Sequence, residues 1–215
     1  LADMEGAKIR VPGAAQSDWV NSVGGVPVNV PSSEMYDGLD KGQLDCAAIT
    51  ALDLKSRSLW DVTSYVTLLD IGLYWAGYSQ GANRDFWQGL SDAQRQAFFD
   101  TIPTAMVDEV IDYMGDDREA LEEAANYDVE IVQPAADLQT SVDEFRAQVR
   151  ANAIAQGNDT FGLSNTEQLL SDFEAIVAKW EKRLEGMDHT DRDEMIRIAE
   201  TELFGQLNAA TYAMD

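Results

Sequence analysis

Short apolar runs alternate with turn-rich gaps through the first fifty residues. AKIRVP (7–12) is a β-type run stopped by Pro12-Gly13. Residues 15–23 fit a helix with Trp19, Val20 and Val23 on one face, ended by Gly24-Gly25. VPVNV (26–30) reads as a strand closed by Pro31. Ser32 and Ser33 are N-cap candidates for a helix over 34–41, and Gly42 stands just past its end. LDCAAI (44–49) is a strand of small residues. This β-α-β-α-β order with short turns predicts parallel strands covered by helices, an α/β class.

Further on, residues 61–83 are rich in Val, Thr, Tyr and Leu and read as one or two extended strands. Residues 91–127 predict a long helix. Phe99, Ile102, Met106, Val110 and Met114 recur on one face, and Pro103 falls inside it, where a proline removes one rung and bends the helix. DVEIVQP (128–134) is a short strand, followed by helices over about 137–155, 165–185 and 191–208. In the second of these, Leu169, Leu170, Phe173, Ile176, Val177, Trp180 and Leu184 form a stripe expected to face the core. The last helix carries Leu203, Phe204 and Leu207, which suit either its own domain or a second chain. The pattern divides the chain into an α/β lobe (1–90), a long helix (91–127) and a strand with a helical C-terminal region (128–215).

Composition narrows the function. The formal net charge is −24, with 15 Lys plus Arg against 39 Asp plus Glu, which repels nucleic acid and anionic membrane surfaces. No apolar run reaches the length of a membrane-spanning helix. One cysteine, Cys46, and one histidine, His189, exclude an intrachain disulfide and a Cys-based metal cluster. His189 sits in a polar turn and reads as exposed or capping. No phosphate loop, GxGxxG, HExxH or GxSxG occurs, so neither cofactor nor metal is expected. Asp45 and Glu34 are carboxylates near element ends, read as caps or ion pairs. An enzyme using them, a lyase or hydrolase, lacks any nucleophile–base pairing.

Arg10 stands out, a guanidinium between Ile9 and Val11 in an apolar strand. A half-buried charge needs a partner, since desolvating it alone costs several kcal/mol. Residue chemistry leaves two partners open, an internal carboxylate or a ligand carboxylate held by the planar fork. Tyr74 and Trp75, between Gly72 and Gly77, suit either a pocket wall or the core. Trp19, Trp60, Trp87 and Trp180 read as core.

The segments GAKIRVPG, GGVPVNVPSSEMYDGLDKGQLDC and GANRDFWQGLSDAQRQAFF together resemble the solute-binding proteins of TRAP transporters, the DctP-like family. Lys8, Ile9, Arg10, Gly24, Pro27, Val28, Pro31, Glu34, Tyr36, Leu39, Gly42 and Asp45 fall on that pattern, and Asn83, Trp87, Leu90 and Gln94 on its later part. The resemblance implies a periplasmic-binding-protein-like type II fold, two lobes joined by a long spanning helix, with a helical C-terminal region. It implies a periplasmic receptor, a monomer, that is not an enzyme. Such a receptor closes on a small organic acid and delivers it to TRAP membrane subunits without itself inserting in the membrane. It places the ligand carboxylate on Arg10 and ligand contacts near Trp75, Tyr74, Ile49, Cys46 and Glu34. A carboxylate-binding sensor or scavenging module without a permease is the alternative.

Departures from the pattern bear on the substrate. Cys46 stands where relatives place Gly, Ala48-Ile49 stand where they place Glu-Trp or a ligand-touching Asn, and Ser32 replaces an aromatic residue. These changes make the pocket less polar near residue 49 and put the metal-assisted contact of some relatives out of reach. Relatives also carry a substantial segment before the Lys-Ile-Arg strand, so the sequence is expected to be a fragment of a longer protein.

Overall fold

The computed structural model describes residues 1–72 and 81–214. Its strands are short and all parallel. β1 (Lys8–Arg10) is central in a three-stranded sheet of order β2-β1-β3, flanked by β2 (Val26–Val28) and β3 (Cys46–Ala47). β4 (Tyr65–Thr67) pairs with β5 (Glu130–Val132) in a second, two-stranded sheet. The predicted β-α-β-α-β order is therefore present, with α1 (Ala14–Ser22) and α2 (Met35–Asp40) as the crossovers. Of the extended segment expected over 61–83, the described part forms only β4 as regular strand.

Glycine sets both helix ends. Gly24 and Gly42 follow the C-caps of α1 and α2 at φ +82° and +65°, the left-handed turn that ends a helix at little cost without a Cβ. The serines do not cap α2. A 3₁₀ turn over Ser32–Glu34 leads into the helix, so Pro31 and Glu34 hold the cap positions.

The chain forms two compact units, Leu1–Tyr74 with Asp117–Arg183, and Trp75–Asp116 with Leu184–Asp215. In the first unit the central sheet has apolar cover on both faces, as parallel sheets require. One cluster holds Ile9, Val11, Trp19, Val20 and Val142, the last from α6 (Ala136–Asp159), with Ala48 packed against it. The other holds Met35, Leu54, Leu59, Trp60, Ala124 and Val129, with Ala47 and Ile49 against it. Leu54 comes from α3 (Leu52–Ser56). Successive strand residues point to opposite faces, which is why Ala47 and Ala48 join different clusters.

In the second unit α4 (Arg84–Gly89), the first turns of α5 (Asp92–Glu123) and α8 (Arg192–Ile198) are joined by aromatic contacts and arginines. Asn83 caps α4 by accepting from the Phe86 N–H. Trp87 lies near Phe98, Phe99 and Tyr212, and its indole donates to the Tyr212 carbonyl at 2.9 Å. Arg192 of α8 clamps Asp108 of α5 with two bonds of 2.5 and 2.9 Å.

Two apolar stripes behave differently from expectation. In α5, Phe99, Pro103 and Val107 are buried, but Val110 and Met114 are exposed. Periodicity marks a common face and does not fix how far along the helix that face is covered. In α7 (Thr166–Leu184) the expected core stripe is open: Leu169 is 53%, Phe173 62% and Ile176 55% exposed. The polar face of α7 is the one held to α6, where Arg150 bonds Glu174 at 3.0 Å and the Ser171 hydroxyl at 2.9 Å. The two helices meet closely at Gly157 of α6, where an added Cβ would lie 2.4 Å from Thr166 Cγ2. Of the tryptophans expected in the core, Trp19 and Trp60 are buried there, whereas Trp87 and Trp180 are half-buried. His189 is exposed as read, its Nε2 3.2 Å from the Leu184 carbonyl. No described helix is long and apolar enough to cross a membrane.

Gly38, in α2, packs on the buried Leu44, and a Cβ there would sit 2.6 Å from Leu44 Cδ1 and 2.9 Å from Cγ. Gly38→Val should therefore destabilise the protein by about 1–3 kcal/mol through overpacking. Leu54→Ala, which empties a fully buried site, should cost about 2–5 kcal/mol. Urea unfolding followed by circular dichroism measures both, and a midpoint unchanged for either variant would refute the packing described.

Candidate functional site

Arg10 ends the central strand. In register it faces Ala47 of β3, so its side chain leaves the sheet on the side of Ala47 and Ile49. Its Nε donates to the Val30 carbonyl at 3.3 Å and its Nη1 to the Ala48 carbonyl at 3.4 Å. Those carbonyls lie just beyond β2 and β3, so one guanidinium links the carboxyl ends of all three strands. The residue is 9% exposed.

The topology gives this position its meaning. From β1 the chain crosses to β2 on one side, and β3 then joins on the other. In open parallel sheets that reversal leaves a crevice at the carboxyl ends of the strands, where ligands bind. Arg10 occupies that end of the reversal.

Asp53 is the residue that the sequence reading missed. It lies in α3, half-buried, 3.7 Å from Arg57 one turn away. Burial pushes its carboxyl pKa above the ordinary 3.8; the Arg57 and Arg10 charges pull it back in part. Helix α3 is fixed in place by the Leu52 N–H, which donates to Asp117 at 2.9 Å, and by Lys55, 2.9 Å from Glu119. Asp53 and Arg57 four residues apart look like an ordinary surface pair in sequence. Only the fold brings Arg10 close enough to act on that carboxylate.

The other expected site residues are dispersed. Ile49 is half-buried, one residue beyond the Ala48 carbonyl that Arg10 uses. Cys46 pairs with Ile9 in register and so lies on the opposite face from Arg10. Its thiol pKa is pushed up, first by burial and then by the Asp45 carboxylate. Glu34 is exposed at the end of its 3₁₀ turn. Tyr74 and Trp75 lie outside the described residues. Asp45 accepts the Lys8 backbone N–H at 2.8 Å, a bond that fixes the start of β1.

A second buried arginine offers a comparison. Arg95 is 3% exposed and donates to the carbonyls of Ala209, at 2.6 Å, and Leu90, and to Asp92 at 2.5 Å. Its partners tie α5 to the C-terminal segment, a structural assignment. Arg10 donates to the Val30 and Ala48 carbonyls at a strand-end crevice, and a planar fork there suits a small carboxylate. Among the described residues no group of three His, Cys, Asp or Glu could hold a metal ion.

The profile of "Bacterial extracellular solute-binding protein, family 7" (DctP) matches residues 1–156. The ectoine-binding periplasmic protein TeaA of Halomonas elongata is 25% identical over 182 residues, covering 83% of this chain and 52% of that protein. A structure of the periplasmic ectoine-binding protein of the TeaABC TRAP transporter superposes with a TM-score of 0.64 at 24% identity, over 81% of this chain and 56% of that one. A TRAP solute-binding protein from Rhodoferax ferrireducens in complex with benzoate gives 0.65 at 21% identity, over 84% and 57%. One from Desulfovibrio salexigens with bound orotic acid gives 0.67 at 18%, over 83% and 56%. The chain spans about half the length of these relatives. Their likeness bears out the periplasmic-binding-protein-like α/β fold. With the profile covering most of its length, the chain belongs to the bacterial extracellular solute-binding proteins of family 7.

Proposed function

We propose that the chain is the substrate-binding part of a periplasmic TRAP-type receptor that captures a small organic acid and passes it to membrane subunits of the same transporter. The carrying observation is Arg10 at the carboxyl end of the central strand, tethered to the Val30 and Ala48 carbonyls. A guanidinium so held is oriented before the ligand arrives, which lowers the entropy lost on binding. The bound benzoate and orotic acid of two structural relatives support the ligand class. Ile49 supplies apolar surface beside the fork.

Asp53 narrows the ligand further. Its carboxylate sits within the field of Arg10 and offsets part of the positive charge. A monocarboxylate matches such a centre better than a di- or tricarboxylate, whose second charge would meet Asp53. The reading does not involve catalysis, and the family is one of transport proteins.

Saturating monocarboxylate should raise the melting temperature of the protein. A ligand at about 100 times its dissociation constant adds about 2.7 kcal/mol. Arg10→Ala should abolish that rise, and Arg10→Lys, which keeps charge but loses the fork, should reduce it. Each unliganded variant must still melt cooperatively. A ligand-induced rise unchanged in Arg10→Ala overturns the assignment.

Asp53→Asn should tighten monocarboxylate binding at pH 7, measured by titration calorimetry. It should also leave the unliganded protein equally or more stable at that pH. The sign follows from the raised carboxyl: its charged form is disfavoured in the fold above the folded pKa, and the penalty fades as pH falls through that pKa towards 3.8. The difference in melting temperature between Asp53→Asn and the parent should thus shrink on acidification. Weaker anion binding by Asp53→Asn contradicts the proposed field.

A further inference from the structure

The open stripe on α7 has the spacing of a coiled-coil seam. Leu169, Phe173, Ile176 and Trp180 are separated by four, three and four residues, the d-a-d-a rhythm of a heptad. Leu170, Val177 and Leu184 take the e positions beside them, and Asp172 and Lys179 take the g positions. The helix is turned so that its polar residues Glu167, Ser171 and Glu174 meet Arg150 of α6 and its seam faces outward. Phe173 and Ile176, at the middle of the seam, are more than half exposed. A seam of this length left open is a surface awaiting a partner.

Charge along α7 says which partner. Its first half carries Glu167, Asp172 and Glu174, and its last turns are net basic, with Lys179, Lys182 and Arg183 around Glu181. These three cations come from only 15 Lys and Arg in the whole chain. A second α7 laid antiparallel sets the acidic half against the net-basic end, twice; since Glu167 and Glu174 are turned to Arg150, Asp172 is the acid that flanks the seam. A parallel copy would set like on like.

The register agrees independently. Antiparallel a-to-d layers pair Phe173 with Ile176 and Leu169 with Trp180 of the other copy, an arrangement symmetric about the middle of the helix. In the same register the flanking g positions bring Asp172 opposite Lys179, and the e positions bring Leu170 opposite Val177. The seam is thus complementary to itself in shape and in charge, as a two-fold interface requires.

We propose that α7 is a self-association surface, through which two copies of this chain pair as an antiparallel helix dimer in the register Phe173:Ile176.

Sedimentation equilibrium of the full chain at 0.15 M salt tests the proposal. A concentration-dependent dimer is expected. Ile176→Glu, at an exposed position, should keep the circular dichroism spectrum and weaken association more than 100-fold. Asp172→Lys should weaken it several-fold by facing Lys179 with a like charge, and adding Lys179→Asp in the same chain should restore it. A monomer at all concentrations, a dimer indifferent to Ile176→Glu, or a seam covered by another segment of the same polypeptide would each overturn the proposal. So would a double charge swap that fails to recover association lost in Asp172→Lys.

Discussion

Three segments of chain meet at one guanidinium. β1 supplies Arg10, and the carbonyls of Val30 and Ala48 that it bonds terminate the path of β2 and of β3. Strands of two or three residues make few ladder bonds, so a charged cross-brace at their ends adds to what fixes their spacing. Hydrogen bonds to a charged group are worth about 1.5–3 kcal/mol each. The same brace separates the two apolar clusters, because the alternation that sends Ile9 and Val11 into one places Arg10 on the face of the other.

The two buried arginines show how location decides what a residue type does. Arg95 is surrounded by carbonyls and a carboxylate close enough to consume it, and it joins the long helix to the C-terminal segment. Arg10 sits at longer distances on its carbonyls, at the end of the sheet where strand order reverses. It acts on the Asp53 carboxylate, which burial already disfavours as an anion. The proposed capture of an anion by so acidic a chain needs such a positive island. Asp53 tempers that island without removing it.

Much of the first fifty residues was legible in the sequence, because turn chemistry marks their boundaries. Gly24 and Gly42 end helices at positive φ, and Pro12 and Pro31 close strands, so the β-α-β-α-β order follows from local constraints. Arg10 was legible as an oddity of burial. Asp53 was not, since its apparent partner Arg57 lies one turn away and its influence on Arg10 arises only through folding. The stripes of α5 and α7 show the complementary limit. Periodicity reports that an apolar face exists, while coverage depends on elements distant in sequence. In α5 that face is covered at Phe99 and Val107 and open at Val110 and Met114.

The close approach of α6 and α7 has a mechanical consequence. Thr166 begins α7 directly against Gly157, and any side chain at 157 would force the two apart. The helix that follows has 19 residues, about 28 Å at 1.5 Å per residue. It acts as a lever arm pivoting on a single missing methyl group. A change of about 10° at the pivot would sweep its far end through about 5 Å, roughly one helical pitch. The aim of the whole apolar seam is thus written in the smallest residue of the chain.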